Sequence, residues 1–204
     1  PLPLGSSITS KGVNFSLIAT NAEYIEILLF DDDEAVSPKT IYKLDESHKT
    51  GPYWHAEINN LKEGCLYAFR IKQENNEVNR DFEKKILIDP CSRGITGWTK
   101  YKREKALKKE DNSNSCLKSV VCDRRWFNFK DYPRPKHPWE NTIIYELHIK
   151  AFTQSSNNGE SCFENFIKKI PYLKELGITT VELLPIFCFD PSDAPNGLKN
   201  FWGY

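Results

Sequence analysis

Glu146 and His148 are residues of acid–base and hydrogen-bonding type, spaced to face the same way. They sit in residues 142–150, Thr-Ile-Ile-Tyr-Glu-Leu-His-Ile-Lys. Side chains alternate across a β-strand. Ile143, Tyr145, Leu147 and Ile149 therefore share one wholly apolar or aromatic face, while Ile144, Glu146 and His148 share the other, which turns polar toward the C-terminal end. In a parallel barrel one face packs on helices and the other points inward. An acid and an imidazole on the inner face suit the catalytic mouth, which lies at the C-terminal ends of the strands. An edge strand with a solvated face would give the same pattern. Residues 178–184 repeat it, with Thr180, Glu182 and Leu184 on one face.

A helix must connect two such strands if they run parallel. Ser161 with Glu164 three residues on reads as a capping box that opens it. Phe163, Phe166, Ile167, Ile170, Leu173 and Leu176 follow helical spacing, Pro171 predicts a kink or a short first segment, and Gly177 ends the helix. A single strand–helix–strand unit leaves a sheet edge open. The chain therefore reads as the front part of a larger α/β enzyme, with most of its chemistry beyond Tyr204. The absence of any Met points to an internal piece in the same way.

The first half is of another kind. Residues 13–18, 24–30, 40–44, 53–58, 65–71 and 86–90 are short β-type runs, separated by turn signals such as Gly51-Pro52, Asn59-Asn60 and Glu63-Gly64. Short strands at regular spacing predict a sandwich. Aromatic faces stack on sugar rings, so an exposed Trp or Tyr would mark a binding site. Trp54 alternates with His55 inside a strand and reads as core, while Tyr24 and Tyr53 fit either role. Residues 91–138 lack a sustained period and read as a linker: a charged run at 100–109, a polar loop at 111–115, and the stiff Pro133-Arg134-Pro135-Lys136-His137-Pro138.

Composition narrows the partners. The 28 basic and 28 acidic residues cancel, and no basic stripe stands out. Nucleic acid and membrane surfaces thus have no electrostatic footprint here, and no apolar run is long enough to span a bilayer. The six cysteines form no Cys-x-x-Cys pair and no metal-ligand spacing. Read as reduced, they predict a cytosolic or stromal compartment. No cofactor and no metal are expected.

Several motifs resemble one family. Pro3-Leu4-Gly5 with Gly12-Val13-Asn14-Phe15, and Trp54-His55 with Leu61, Gly64 and Tyr67-Ala68-Phe69-Arg70, are similar to the isoamylase-type N-terminal domain. Residues 139–153 resemble the first barrel strand of isoamylases and bacterial glycogen debranching enzymes, residues 170–185 the first helix end and second strand, and Asn200-Phe201-Trp202-Gly203-Tyr204 the aromatic motif before strand three. Two features depart from the family pattern: Ala151 stands in place of Gly, and the loop 154–160 is short.

The resemblance implies a fold and a function. Residues 1–90 would form an all-β immunoglobulin-like sandwich, a glycogen- or starch-binding type of module. Residues 91–138 would be linker, and 139–204 the first β-α-β portion of an incomplete TIM (β/α)8 barrel. The parent would cleave α-1,6 branch points of glycogen or starch by a retaining mechanism on two carboxylates, its partner being a branched α-glucan. Both carboxylates come from later strands in the family, so no catalytic residue is assigned and the 204 residues alone are expected to be inactive. Tyr204 would stack on the sugar at the cleavage subsite, His148 would hydrogen-bond nearby, and Trp202 would pack inside. A non-catalytic glucan-binding protein, a branching transferase and a trehalose-releasing hydrolase are the alternatives.

Overall fold

A computed structural model describes residues 1–73, 84–123, 130, 132–153 and 161–204. The chain divides into two compact units, Pro1–Asn128 and Phe129–Tyr204.

The first unit is built from β1 (Gly5–Ile8), β2 (Gly12–Ile18), β3 (Ala22–Phe30), β4 (Thr40–Leu44), β5 (Lys49–Thr50), β6 (Tyr53–Asn59), β7 (Leu66–Gln73), β8 (Gly94–Thr96), the short helix α1 (Arg103–Leu107) and β9 (Lys118–Val120). They form a four-stranded sheet, β1-β2-β6-β5, and a five-stranded sheet, β4-β3-β7-β9-β8. Every pairing is antiparallel. Alternation along the strands sends Val13, Phe15 and Leu17 of β2 and Trp54 and Ile58 of β6 toward Ile25, Ile27 and Leu29 of β3 and Tyr67 and Phe69 of β7, in one core between the sheets. The unit is thus a β-sandwich.

The apolar run Ile27-Leu28-Leu29-Phe30 has a separate cause. Leu28 and Phe30 face away from the sandwich core and pack with Ala68, Ile86 and Cys116 in a second cluster. β3 is therefore covered on both faces near its end, where a strand loses its two-residue alternation.

That second layer corrects the reading of residues 91–138 as linker. Residues 91–123 belong to the first unit, and β8 and β9 extend its larger sheet. Strands of three residues are too short to display a period. The buried polar groups here are also satisfied by partners remote in sequence, so their burial leaves no local pattern. Asn112 exchanges two hydrogen bonds with the Ile86 backbone, Lys118 Nζ donates to the Asp33 carbonyl at 2.7 Å, and Lys85 Nζ donates to the carbonyls of Lys105 and Lys108. Burial lowers the pKa of the Lys85 ammonium. Residues 86–90 form no strand either: Leu87 makes one isolated bridge to Phe69, and Asp89 is buried.

The second unit holds β10 (Ile144–Leu147), α2 (Ile149–Thr153), α3 (Cys162–Glu175) and β11 (Thr180–Leu183). β10 and β11 pair in parallel, with Glu146 opposite Glu182. Leu147, Ile149 and Leu173 form the core, with Tyr145, Phe152, Phe166, Ile178, Val181 and Leu183 packed against it. The strand expected over 142–150 is shorter, because the chain turns into α2 right after His148. Ile149 is accordingly buried from a helix. α3 starts at the Ser161–Glu164 capping box and runs through Pro171 to Glu175. Gly177 (φ 88°) closes it in a Schellman turn, with Gly177 N–H bonded to the Lys174 carbonyl and Ile178 N–H to the Leu173 carbonyl, both at 3.0 Å. No helix of the described residues is long and apolar enough to cross a membrane.

Candidate functional site

In the second unit the chemistry-bearing residues meet at the C-terminal end of β10. Glu146, Leu147, His148, Ala151, Leu184, Trp202 and Tyr204 line one open cleft of about 610 Å³. The two residues expected to touch substrate, His148 and Tyr204, thus share a single cavity although 56 positions separate them in the sequence (204 − 148). A second cleft of about 490 Å³ includes His148, Phe163, Phe187 and Phe201 in its wall.

His148 is placed by the end of a strand and the start of a helix. It is the residue before α2, and its Nδ1 accepts the Ala151 backbone N–H at 3.2 Å, as an N-cap side chain does for the third helical residue. Its Nε2 lies 3.0 Å from the Phe201 carbonyl oxygen. The ring stacks on Phe201, with centroids 4.5 Å apart at 16°, and meets Trp202 edge-on at 5.9 Å.

The aromatic segment is shaped by Asn200. Its backbone N–H donates to the Pro191 carbonyl at 2.9 Å. Its side chain accepts the Gly203 N–H and donates to the Tyr204 carbonyl, both at 3.0 Å. Gly203 adopts φ 83°, a conformation glycine takes without a Cβ penalty. Tyr204 is left 83% exposed, with its ring available to a flat partner. Trp202 does not pack inside as expected: it is half exposed and stands edge-on to Phe201 at 5.3 Å. Phe201 stacks on His148 but is also partly exposed, at 43%.

Glu146 and Glu182 are opposite residues on adjacent parallel strands, both exposed. The loop 154–160 lies outside the described residues. The sequence places Asn200 and Phe201 in the aromatic motif but assigns neither a role of its own. The Asn200-x-x-Gly203 spacing does carry a signal, because Asn side chains close turns against nearby backbone and Gly supplies the positive φ.

In the first unit Trp54 is wholly buried, and its Nε1–H donates to the Ala19 carbonyl at 2.8 Å. It is core and has no face for a ligand. Tyr24 lies on the outer surface, where Lys43 Nζ stands 3.8 Å and Lys72 Nζ 5.7 Å from its ring centre.

Residues 3–92 match the carbohydrate-binding module 48 family, the isoamylase N-terminal domain. The whole chain aligns with glycogen debranching enzymes: 33% identical over 219 residues to that of Erwinia tasmaniensis and 30% over 218 to that of Pectobacterium atrosepticum, in each case 100% of this chain and 32% of the relative. The chain thus spans about a third of the length of these relatives. Its fold is also that of solved enzymes. The catalytic module of the glycogen-degrading pneumococcal virulence factor SpuA superposes with TM-score 0.69 at 20% identity over 93% of this chain and 27% of that one. The Group B Streptococcus pullulanase SAP gives 0.69 at 18% identity over 93% and 24%.

Proposed function

We propose, for a chain that carries an isoamylase-type N-terminal module and resembles bacterial glycogen debranching enzymes along its whole length, that it supplies the first third of a debranching hydrolase. The enzyme cleaves α-1,6 branch points of glycogen or starch. The observation that carries this reading is the alignment of all 204 residues with one enzyme type. It is supported by the gathering of Glu146, His148, Trp202 and Tyr204 around one cleft.

In this reading β10, the helices after it and β11 are the first β-α-β part of a (β/α)8 barrel, whose site lies at the C-terminal ends of its strands. Residues 1–90 are an immunoglobulin-like module of the glucan-binding type. The cleft is a sugar subsite. The exposed Tyr204 ring stacks on the apolar face of a glucose ring, and His148 belongs to the same substrate-binding site. Hydrolysis with retention needs a carboxylate nucleophile and a carboxylic acid about 5–5.5 Å apart on either side of the scissile bond. By the resemblance both groups come from later strands of the barrel and not from Glu146 or Glu182, so the 204 residues alone do not cleave. The partner is a branched α-glucan, and the compartment is cytosolic or stromal, in keeping with six free cysteines.

The test is to express the 204 residues alone and within a chain of the relatives' length, and to supply amylopectin to each. The longer chain is expected to release linear maltooligosaccharides with loss of branch points, and the shorter one no reducing sugar. New branch points, trehalose release, or glucan binding by the longer chain without hydrolysis would each overturn the debranching reading. Reducing-sugar release by the 204 residues would overturn the absence of catalytic groups.

A further inference from the structure

His148 has no ring nitrogen to spare. The Ala151 backbone N–H can only donate, so the Nδ1 it meets at 3.2 Å must carry a lone pair. A neutral imidazole with a bare Nδ1 holds its proton on Nε2. There, 3.0 Å away, stands the Phe201 carbonyl oxygen, which can only accept. Both contacts are hydrogen bonds in one tautomer and in no other state of the ring. In the Nδ1–H tautomer each would turn repulsive, donor against donor and lone pair against carbonyl. A doubly protonated ring would keep the Phe201 bond and set N–H against N–H at Ala151. The flat of the ring is also engaged, by the stacked Phe201 side chain.

One side chain therefore ties three elements: the end of β10 that carries it, the first turn of α2, and the aromatic segment 200–204. Its bond to Phe201 falls between Asn200 and Tyr204, inside the turn that Asn200 closes. We infer that His148 is a positioning residue: held in the Nε2–H tautomer, it clamps the 200–204 segment to the end of β10 and so sets where the Tyr204 ring stands. It serves the cleft through Phe201, three residues short of the ring that meets the sugar. The inference rests on the reading of Tyr204 as the sugar platform only for its use, not for the clamp itself.

The chain has four histidines, so ring-¹⁵N labelling resolves each of them. At neutral pH the His148 ring is expected to show a bare Nδ1 and a protonated Nε2, with a coupling across to the Phe201 carbonyl. A proton on Nδ1, or an average of both tautomers, overturns the clamp, and this measurement needs no variant. In parallel, amide exchange over residues 199–204 is followed by mass spectrometry. His148→Ala is expected to speed it by about fivefold, since one lost hydrogen bond is worth roughly 1 kcal/mol. His148→Gln, whose amide nitrogen falls near the Nε2 position, is expected to restore much of the protection. Unchanged exchange in His148→Ala overturns the clamp. Maltoheptaose is then added. A Tyr204 ring that does not respond, with both clamp signatures present, overturns the sugar-platform reading and leaves the clamp standing.

Discussion

The Tyr67 hydroxyl donates a 2.6 Å hydrogen bond to Asp89 Oδ2 in the buried interior of the first unit. The carboxylate also accepts the Cys91 N–H at 2.7 Å, and the Asp89 N–H donates to Ser119 Oγ at 2.9 Å. Burial first, and the neighbouring Asp89 charge second, push the Tyr67 phenol well above its ordinary range, so it stays a donor. The pair joins β7 to the second layer that begins after it. Tyr67→Phe removes the donor and keeps the ring. It is expected to destabilise the first unit by about 1.5–3 kcal/mol, the range for a hydrogen bond to a charged group. Urea unfolding of the variant measures it, and a change under about 0.5 kcal/mol would mean the carboxylate finds another donor.

Asp45 caps the turn Glu46–His48, and its carboxyl is held down at about 2 by the Ser47 hydroxyl, the His48 ring and the Ser47 N–H, in that order. A depressed folded value means that the cap's contribution is present above the unfolded value near 3.8 and is lost as pH falls through about 2. The carboxyl carbon of Asp45 is expected to titrate with a midpoint near 2, and Asp45→Asn to loosen the turn at neutral pH. A midpoint at the ordinary value would remove the cap from the account.

Gly177 and Gly203 separate two costs of adding a methyl group. At Gly177 (φ 88°) a Cβ meets nothing within 4 Å, so Gly177→Ala is expected to cost only the left-handed backbone, about 1–2 kcal/mol in the second unit. At Gly203 (φ 83°) the Cβ would stand 2.8 Å from Phe189 Cδ1, so the ring must also move. Gly203→Ala is therefore expected to raise amide exchange across residues 199–204, whereas Gly177→Ala leaves that segment unchanged. Equal exchange in the two variants would show that the Phe189 contact does not order the segment.

Trp54 offers no surface to a sugar, being fully buried and bonded to the Ala19 carbonyl. Trp54→Phe is expected to cost about 1–3 kcal/mol of stability, through a lost hydrogen bond and lost packing. The affinity of the folded protein for maltoheptaose is expected to stay the same. A fall in affinity without a fall in melting temperature would place the indole on a binding surface.

The features legible in the sequence are those whose cause lies within a few residues. The Ser161–Glu164 capping box and the Gly177 helix stop are local backbone chemistry, and both stand where their spacing puts them. The alternating strands β2 and β6 are legible for a related reason, since one face of each is buried along its length. Residues 91–123 read as linker because their strands are three residues long and the buried Lys118 and Asn112 are satisfied by carbonyls distant in sequence. Ile149 differs from expectation because it lies just past β10, whose end the pattern does not mark, and Trp202 because it stands in a loop, where no periodicity tells an inward side chain from an outward one.

By itself, the sequence determined the local elements, their apolar faces and the residue types at the end of β10. Periodicity and capping act over one turn or one strand, and neither needs a distant partner. Only the tertiary structure decided which groups those residues meet. The proton on the His148 ring is assigned by two backbone atoms, one three residues away and the other 53, at Phe201. The Tyr204 backbone is held by the Asn200 side chain, and the buried Lys118 ammonium is satisfied by the Asp33 carbonyl 85 positions before it. Hydrogen-bond satisfaction is settled in three dimensions, so a polar residue reads the same in sequence whether water or a remote carbonyl is its partner.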